Sequence, residues 1–211
     1  MTRSSIALLV ALSVGSTGCA ATLAPLRGAR VSPASIPRVG LTGARKLTFR
    51  WEYNEEAIVA RGEGVARLAS PDSARLDFFI DGGFGSGYVL VFGDEVIAPG
   101  GNLVAGMIPS PPMLWAAVGR LAVPPAADTL AAVDGSRLRA DIGRDPSWRV
   151  TFDSARLTLL EHVEGGRVIE TVSRSPDGTV RYTNPRARRM LRISITGEEE
   201  VARFDASIWR Q

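Results

Sequence analysis

The only histidine of the chain, His162, is the first candidate for acid–base chemistry, because acids stand on both sides of it at positions 161 and 164. A carboxylate beside an imidazole can orient the ring as a general base. Adjacent residues of a strand point to opposite faces of a sheet, so the nearest acid, Glu161, is poorly placed for that task. We therefore expect His162 to be an ordinary strand or surface residue with no catalytic role.

A glycine-rich run at residues 82–87 contains Ser86 and is similar in composition to nucleophile and phosphate-binding loops. A nucleophile elbow needs a strand-to-helix turn and a histidine partner, and a phosphate loop needs a lysine followed by serine or threonine. The run lacks that lysine and joins two predicted strands. We expect no catalysis at Ser86 and no enzymatic activity in this chain.

Acidic residues cluster loosely between positions 72 and 94, where they could be imagined as calcium ligands. The four aspartates are Asp72, Asp77, Asp81 and Asp94. Their spacing does not match the loop of an EF-hand, and they fit turns and solvent-facing strand positions better. A cysteine-rich metal site is excluded because the chain has one cysteine. We expect neither a metal site nor a cofactor.

That single cysteine, Cys19, carries the one covalent modification that the sequence indicates. Arg3 precedes an apolar run at residues 6–14, and small residues at 15–18 lead directly to Cys19. This is the three-part pattern of a secretory signal. The apolar run is about nine residues long, whereas a membrane-spanning helix takes about 20. The run therefore predicts export and cleavage.

The residues before Cys19 are similar to the lipobox of bacterial lipoproteins. This resemblance implies that Cys19 becomes the acylated first residue of the mature protein, and that Ala20 favours the outer membrane over retention at the inner one. Ser16 stands where the usual pattern has leucine. An ordinary cleaved signal followed by a chance cysteine is the alternative interpretation.

The overall composition is that of an ordinary globular protein. Hydrophobic residues make up 45% of the chain, charged residues 22%, and the net charge is +3. The basic residues are spread along the chain among acids, whereas a nucleic-acid-binding protein gathers them on one face. We therefore expect no nucleic-acid partner. The densest basic stretch, Arg186, Arg188, Arg189 and Arg192, could contact anionic headgroups or form a solvated strand edge.

From Lys46 onward the sequence alternates between apolar and polar residues, which predicts a strand with one buried face at 47–53. Gly62 and Gly64 in the next strand suggest a bend or bulge. Further strands are predicted at residues 58–68, 75–81, 88–92, 95–98, 137–142, 148–152, 156–162, 167–173, 179–183, 190–195 and 201–209.

Two stretches favour helices. Pro111 and Pro112 precede apolar residues at helical spacing up to Leu121, and proline is well placed at a helix start. Residues 126–133 could form a second short helix closed by Gly135. Short turns between consecutive strands imply antiparallel pairing. The predicted class is α+β, with a strongly curved antiparallel sheet, an incomplete barrel, of about ten strands and one or two covering helices.

The chain divides into three parts in this interpretation. Residues 1–18 form the lipoprotein signal peptide, residues 19–44 the lipidated cysteine and a flexible tether, and residues 45–211 the β-domain. The tether assignment depends on its alanine, glycine, proline, serine and threonine content and on the lack of a sustained period.

Several features of the predicted curved sheet come in a distinctive order: Trp51 in an early strand, Gly62 and Gly64 in the second, Arg75 entering the third, and an end near Trp209. Behind a lipoprotein signal, this order resembles the LolA/LolB-like superfamily of lipoprotein carriers and receptors, over roughly residues 45–211. The resemblance implies acyl chains or lipoproteins as cargo, with a periplasmic carrier protein as a further partner.

In the receptor of this superfamily an apolar residue protrudes from a loop between two early strands, and Phe84 stands at the matching place. The resemblance implies that Phe84 inserts into membrane or cargo. An aromatic ring among flexible glycines suits such a role, since exposed apolar groups in loops mark interaction sites. Alternatively, Phe84 folds back onto the core.

Between the sheet and its helix we expect an apolar cavity for acyl chains, which need aliphatic and aromatic walls with few polar atoms. Its candidate lining residues are Phe49, Trp51, Phe78, Ile80, Leu90, Phe92, Met113, Leu114, Trp115 and Val118. Plain core packing is the alternative for each of them.

These expectations together describe a monomeric envelope lipoprotein that binds acyl chains, aids lipoprotein localisation or lipid handling, and lies at the outer membrane facing the periplasm. Two further hypotheses stay open. One is a non-catalytic assembly or sensing module of the same shape that binds a protein partner. The other is a hydrolase of unknown type, which the lone histidine disfavours.

Overall fold

A computed structural model describes residues 23–56, 58–83, 85–99, 107–124, 126–144 and 147–210. The predicted signal peptide at 1–18 lies outside them. Within them, no helix is long and apolar enough to cross a bilayer.

The described residues build one antiparallel sheet of thirteen strands, three more than predicted. The strands are β1 Ala29–Val31, β2 Ala44–Glu55, β3 Ile58–Ala69, β4 Ser73–Ile80, β5 Ser86–Phe92, β6 Glu95–Ile97, β7 Leu130–Asp134, β8 Arg137–Ile142, β9 Ser147–Asp153, β10 Arg156–Glu164, β11 Arg167–Arg174, β12 Thr179–Asn184 and β13 Arg189–Val201. Their order in the sheet is β1-β7-β8-β9-β10-β11-β12-β13-β2-β3-β4-β5-β6. Because β1 and β6 are the two ends of this order, the sheet is open, as the incomplete barrel predicts.

The alternation that predicts β2 holds in the structure. Phe49, Trp51 and Tyr53 are buried on one face, whereas Arg50 and Glu52 between them are exposed. We call the face that carries Phe49, Trp51 and Tyr53 the inner face and the opposite one the outer face. The inner face holds most of the hydrophobic core, because it is covered by the only α-helix in the described part of the chain.

This helix, α1, spans Pro111–Ala117 and is shorter than the predicted stretch to Leu121. Prolines occupy its first turn, where the missing amide hydrogens cost no helical hydrogen bond. Met113, Leu114, Trp115 and Ala116 are all buried. One covering helix therefore closes the inner face.

Two predictions of secondary structure are wrong. Residues 126–133 do not form a second helix, because Leu130–Asp134 is strand β7, paired on one side with β1 and on the other with β8. Cross-strand pairing here outweighs the helical preference of the alanines. Residues 201–209 do not continue as a strand, since Ala206–Trp209 is a 3₁₀ helix that starts at Asp205.

The segment expected as a flexible tether is ordered from Leu23 onward. Ala29–Val31 adds β1 to the sheet, Pro33–Ser35 forms a 3₁₀ helix, and Leu41 is buried in the core. The apolar residues of this segment pack against the sheet and α1 although they show no regular period.

The glycines of β3 do not produce a bulge, because β3 stays in register with β2 and β4. Gly64 instead makes room for the Phe49 ring, which lies where a β-carbon at this position would be. Register shifts occur elsewhere, at Leu157/Leu159 and His162/Val163 in β10 and at Ile195/Gly197 in β13. Bulges of this kind bend strands and increase the twist of a sheet.

Candidate functional site

A small closed cavity lies between α1 and the inner face of the sheet. Its volume is about 40 Å³, and all thirteen of its lining residues are apolar. They include Leu114, Ala117 and Val118 of the helix region and Ile108 just before it. A water molecule occupies about 30 Å³ of liquid, whereas small-molecule sites measure about 300–1,000 Å³. We call this space the α1 cavity, and in this conformation it is too small for an acyl chain.

Four of the ten residues predicted to line a cavity meet at the α1 cavity: Phe49, Phe78, Leu114 and Val118. Trp115 borders a second void of about 10 Å³ beside it. Trp51 packs edge-on against Phe78 with ring centroids 5.9 Å apart. Met113 is fully buried and Ile80 is half-buried against the same core.

The remaining two predicted residues, Leu90 and Phe92, lie on the outer face. Leu90 is paired in register with Arg75, which belongs to the outer face, and the Phe92 ring packs edge-on against Trp209. The nearly uninterrupted apolar run of β5 hid this alternation, because both faces of the strand are covered. The C-terminal 3₁₀ helix covers the outer face there, and Arg75 donates a hydrogen bond to the Ile208 carbonyl oxygen over 2.9 Å.

Two buried polar contacts attach α1 to the sheet. The indole Nε1 of Trp115 donates to the Gly93 carbonyl oxygen, and the Arg174 guanidinium donates to the Ala117 carbonyl oxygen. Burial lowers the pKa of Arg174, and positive charge from Arg156 and Arg45 lowers it further. A cation at the C-terminus of a helix is well placed to meet its unpaired carbonyl groups. Sequence inspection did not single out Arg174, because nothing in the sequence of β11 indicates that this residue contacts α1.

A much larger open groove lies beyond the C-terminal end of α1. It runs between residues 33–41, which we call the strap, and the segments 120–123 and 126–129. The volume of this strap groove is about 630 Å³, and its walls are apolar except at Arg38, Arg120 and Thr129. The two sides are joined by a hydrogen bond of 3.2 Å from the Leu121 amide to the Val39 carbonyl oxygen. Among the described residues, no acidic side chain lines the groove.

Arg120 lies between the helix and this groove. Its guanidinium carbon stands 4.5 Å from the centre of the Trp115 ring, a cation–π contact. Its buried Nη1 has no hydrogen-bond partner among the described residues. Sequence inspection missed the strap because residues 20–44 were interpreted as a tether, although the apolar Ile36, Val39 and Leu41 were an available signal. It missed Arg120 because the groove that Arg120 borders is formed in part by the strap.

His162 belongs to a polar row that crosses the inner face at one end. Its Nδ1 lies 3.7 Å from Glu170 on β11, and its ring stacks on Trp148 with centroids 4.3 Å apart. Glu170 also accepts hydrogen bonds from the Tyr182 hydroxyl at 2.8 Å and from Asn184 at 3.1 Å. The carboxylate facing His162 therefore comes from the neighbouring strand and is engaged in structural bonds.

The same polar row continues through Arg189 and Glu55, whose side chains form an ion pair of 2.8 Å. Tyr53 donates its hydroxyl to Glu55, and burial together with this bond raises the pKa of Tyr53 to about 12. The buried tyrosine therefore keeps its proton at physiological pH. This part of the row ties β13 to β2.

Two of the aspartates considered as calcium ligands are engaged in ion pairs with different arginines. Asp77 pairs with both Arg67 and Arg75 on the outer face, and Asp81 pairs with Arg61 at 3.4 Å. No group of three histidine, cysteine, aspartate or glutamate side chains suited to a metal occurs in the part of the chain that the structure describes.

Cys19 and Phe84, the acylation and insertion sites inferred from sequence, lie outside the described residues. The turn that contains position 84 can be described on either side of it. Asp81, Gly82, Gly83, Gly85 and Ser86 are all exposed, and the Ile80 amide donates to the Gly85 carbonyl oxygen over 3.0 Å.

The sequence matches no family model and no curated protein. Similar folds do occur among solved structures. A DUF1329 family protein from Desulfovibrio piger superposes with a TM-score of 0.53 and 10% identity, over 84% of this chain and 91% of that one. At this identity the likeness concerns the fold alone.

Two further structures match with lower scores. A LolA superfamily protein from Nitrosomonas europaea has a TM-score of 0.49 and 8% identity, over 80% of this chain and 90% of that chain. A putative outer membrane lipoprotein-sorting protein domain from Vibrio parahaemolyticus has a TM-score of 0.47 and 8% identity, over 79% of this chain and 89% of that chain.

Proposed function

We propose that this chain is a lipid-anchored protein of the bacterial cell envelope that binds the acyl chains of lipids or lipoproteins and carries out no chemistry. We place it at the outer membrane, facing the periplasm, in lipoprotein localisation or lipid handling. The observation that carries the proposal is the strap groove, about 630 Å³ of space with a lining that is apolar except at Arg38, Arg120 and Thr129.

The groove suits an acyl chain in size and in chemistry. Its volume falls within the range of about 300–1,000 Å³ that is usual for small-molecule sites. An acyl chain has no directional groups, and each buried methylene contributes about 0.8 kcal/mol by leaving water. Arg38 and Arg120 offer the guest a positive charge with which a carboxylate or phosphate head could pair.

The α1 cavity is a second space for the guest only if the helix moves. Arg120 and Leu121 of the groove follow closely on Val118 of the cavity wall, so both spaces border the C-terminal end of α1. Entry beneath α1 would have to break its bonds to Gly93 and Arg174. We therefore assign the bound acyl chain to the strap groove. The α1 cavity, lined in part by Phe49, Phe78, Leu114 and Val118, would extend this site only if α1 moved away from the sheet.

Binding of a fluorescent palmitate analogue to the purified protein tests this assignment, together with native mass spectrometry for lipid that co-purifies. Ala34 lines the groove from an exposed position, so Ala34→Trp should fill the groove without disturbing the core. The matched control is Ala202→Trp, an exposed alanine outside the groove lining. Equal binding by both variants would contradict the assignment, and a protein empty of lipid that also binds no analogue would favour the protein-binding module.

Acylation of Cys19 is tested separately by incorporation of labelled palmitate in cells. We expect label in the wild-type chain and none in Cys19→Ser, since the thiol is the only one in the chain. Label that persists in Cys19→Ser, or its absence from both chains, would remove the lipid anchor from the proposal.

We assign Phe84 to insertion into membrane or cargo. The exposure of the residues around position 84 supports this role, because a side chain in such a turn can reach a partner. Phe84→Glu should impair delivery of lipoproteins to the outer membrane while leaving the melting temperature unchanged. Ser86→Glu is the control, because it places the same charge at the first residue of β5, directly after this turn. Equal sorting by both variants would contradict the role assigned to Phe84.

A further inference from the structure

The first described residues lie against one particular turn of the sheet. The Leu23 amide donates to the carbonyl oxygen of Gly166, in the turn between β10 and β11, over 2.9 Å. The Arg149 guanidinium donates to the carbonyl oxygen of Ala24 beside it. The described part of the chain therefore begins beside this turn.

Successive hairpin turns of an antiparallel sheet alternate between its two rims. The β10–β11 turn consequently shares a rim with the β12–β13, β2–β3 and β4–β5 turns. We call this rim the anchor rim and define it by Gly165–Gly166, Pro185–Arg188, Glu56 and Asp81–Gly83. Neighbouring turns on it are separated by two strands of the sheet.

Exposed apolar side chains gather on the anchor rim. Six large apolar side chains are exposed among the described residues, and five of them lie within two residues of the strand ends on this rim. These five are Ile58, Val59, Phe79, Leu130 and Met190. Val59 is 74% exposed and Ile58 52%. The sixth, Val96, is on the opposite rim. Apolar groups concentrated in this way mark an interaction surface.

Val59 and Met190 flank the same residue of β2, because each is paired in register with Asn54. They thus lie on one face of the sheet, two strands apart, where Val59 is 74% and Met190 37% exposed. A patch of this kind at a rim can enter the headgroup region of a bilayer without any change in the sheet.

Exposed arginines accompany the apolar residues. Arg167, Arg186 and Arg188 are exposed on the anchor rim. Arg188 approaches Glu56 at 3.8 Å, whereas Arg167 and Arg186 have no ion pair with any described residue. The same rim carries three exposed acids, Glu56, Asp81 and Glu164, of which Glu56 is paired with Arg188 and Asp81 with Arg61. Anionic lipid headgroups complement Arg167 and Arg186, and this complementarity favours a bilayer over a neutral apolar partner.

We propose that the anchor rim lies against an anionic bilayer surface, with Ile58, Val59 and Met190 at headgroup depth and Arg167, Arg186 and Arg188 on lipid phosphates. Cys19 stands four residues before Leu23, and four residues span at most about 14 Å. This reach agrees with a bilayer at the same rim if Cys19 is acylated, which rests on the proposed function; the apolar patch and the arginines do not depend on it.

The test uses full-length Cys19→Ser, which cannot be acylated there, and sedimentation with phosphatidylglycerol–phosphatidylcholine vesicles or with pure phosphatidylcholine vesicles. We expect binding to the anionic vesicles that weakens with salt. Arg186→Gln and Arg188→Gln should each weaken it roughly fivefold, and Val59→Glu at least about tenfold. The matched control is Val96→Glu, an exposed valine on the opposite rim.

Unchanged binding by Val59→Glu and both arginine variants would overturn the proposal, as would the absence of binding to anionic vesicles. Palmitate-analogue binding by the same variants separates this result from the proposed function. Rim variants that lose vesicles but keep the analogue support the rim. Loss of analogue binding by Ala34→Trp, together with full vesicle binding by Val59→Glu and both arginine variants, would support the groove and remove the rim.

Discussion

The indole nitrogen of Trp115 donates a hydrogen bond of 2.5 Å to the carbonyl oxygen of Gly93. This bond joins the middle of α1 to the turn between β5 and β6. Arg174 makes a separate contact at the C-terminal end of the helix. Trp115 is 1% exposed and Gly93 is partly buried, so the donor of this bond is shielded from water. The position of the covering helix therefore depends on two polar contacts as well as on apolar packing.

Trp115→Phe should lower the free energy of unfolding by about 1–3 kcal/mol, because the partly buried Gly93 carbonyl oxygen loses its donor and the smaller ring leaves a void. Hydrogen exchange of the α1 amides should speed up more than that of the sheet. Urea unfolding and exchange mass spectrometry measure the two effects. Trp148→Phe, a control outside α1, should leave exchange in the helix unchanged; equal exchange in both variants would show that the Gly93 bond does not hold α1.

Gly119→Ala should cost roughly 1–2 kcal/mol of stability, because Gly119 adopts a φ of +87° that L residues disfavour. A β-carbon there would also stand 3.3 Å from the Arg174 guanidinium, which bonds to the end of α1. Gly40→Ala is the control, since no atom lies within 4 Å of its β-carbon position. Urea unfolding should separate the two variants by at least about 1 kcal/mol, and equal stabilities would contradict the strain at Gly119.

The strand pattern could be predicted because each hairpin carries its own signal. Alternation in β2 and the Asp177-Gly178 turn before β12 are local features, and both predict the elements that the structure contains. The incomplete barrel follows from many such strands in sequence. Short edge strands lack this signal, so β1 was not predicted. The alanines of β7 favour a helix, and only pairing with β1 and β8 makes this segment a strand.

The candidate site could not be predicted in the same way, because its walls come from distant segments. Leu90 and Phe92 look like inner-face residues in an apolar run, and only the C-terminal 3₁₀ helix shows that the outer face of β5 is covered too. The strap meets the segment that follows α1 through a hydrogen bond from the Leu121 amide to the Val39 carbonyl oxygen, a contact between residues 82 positions apart. No spacing rule along the chain contains that information.

Arg120→Gln should weaken binding of a palmitate analogue about tenfold, the loss expected for a charge-assisted hydrogen bond. The matching fatty alcohol has no carboxylate, so its affinity should change little. Isothermal titration or fluorescence titration with both ligands makes the comparison on one variant. If the acid and the alcohol lose affinity equally, Arg120 acts through the packing of its guanidinium on Trp115, and the headgroup assignment is wrong.

Glu161→Gln should stabilise the protein at neutral pH and have no such effect in acid. Burial raises the pKa of Glu161 above its ordinary 4.5, even though Arg149 and Arg139 pull it down, so the folded chain disfavours the carboxylate. Because the folded state binds this proton more tightly than the unfolded state does, the side chain costs stability as pH rises from about 4.5 through the raised pKa. Glutamine cannot ionise and escapes that cost.

Urea unfolding at about pH 7 and about pH 4 checks this sign. The gain in stability of Glu161→Gln over the wild-type chain should be present at the higher pH and should shrink toward zero at the lower one. Glu164→Gln, on the same strand but exposed, should change stability by less than about 0.5 kcal/mol at either pH. A Glu161→Gln variant less stable than wild type at neutral pH would mean that the attraction of Arg149 and Arg139 outweighs burial at this position.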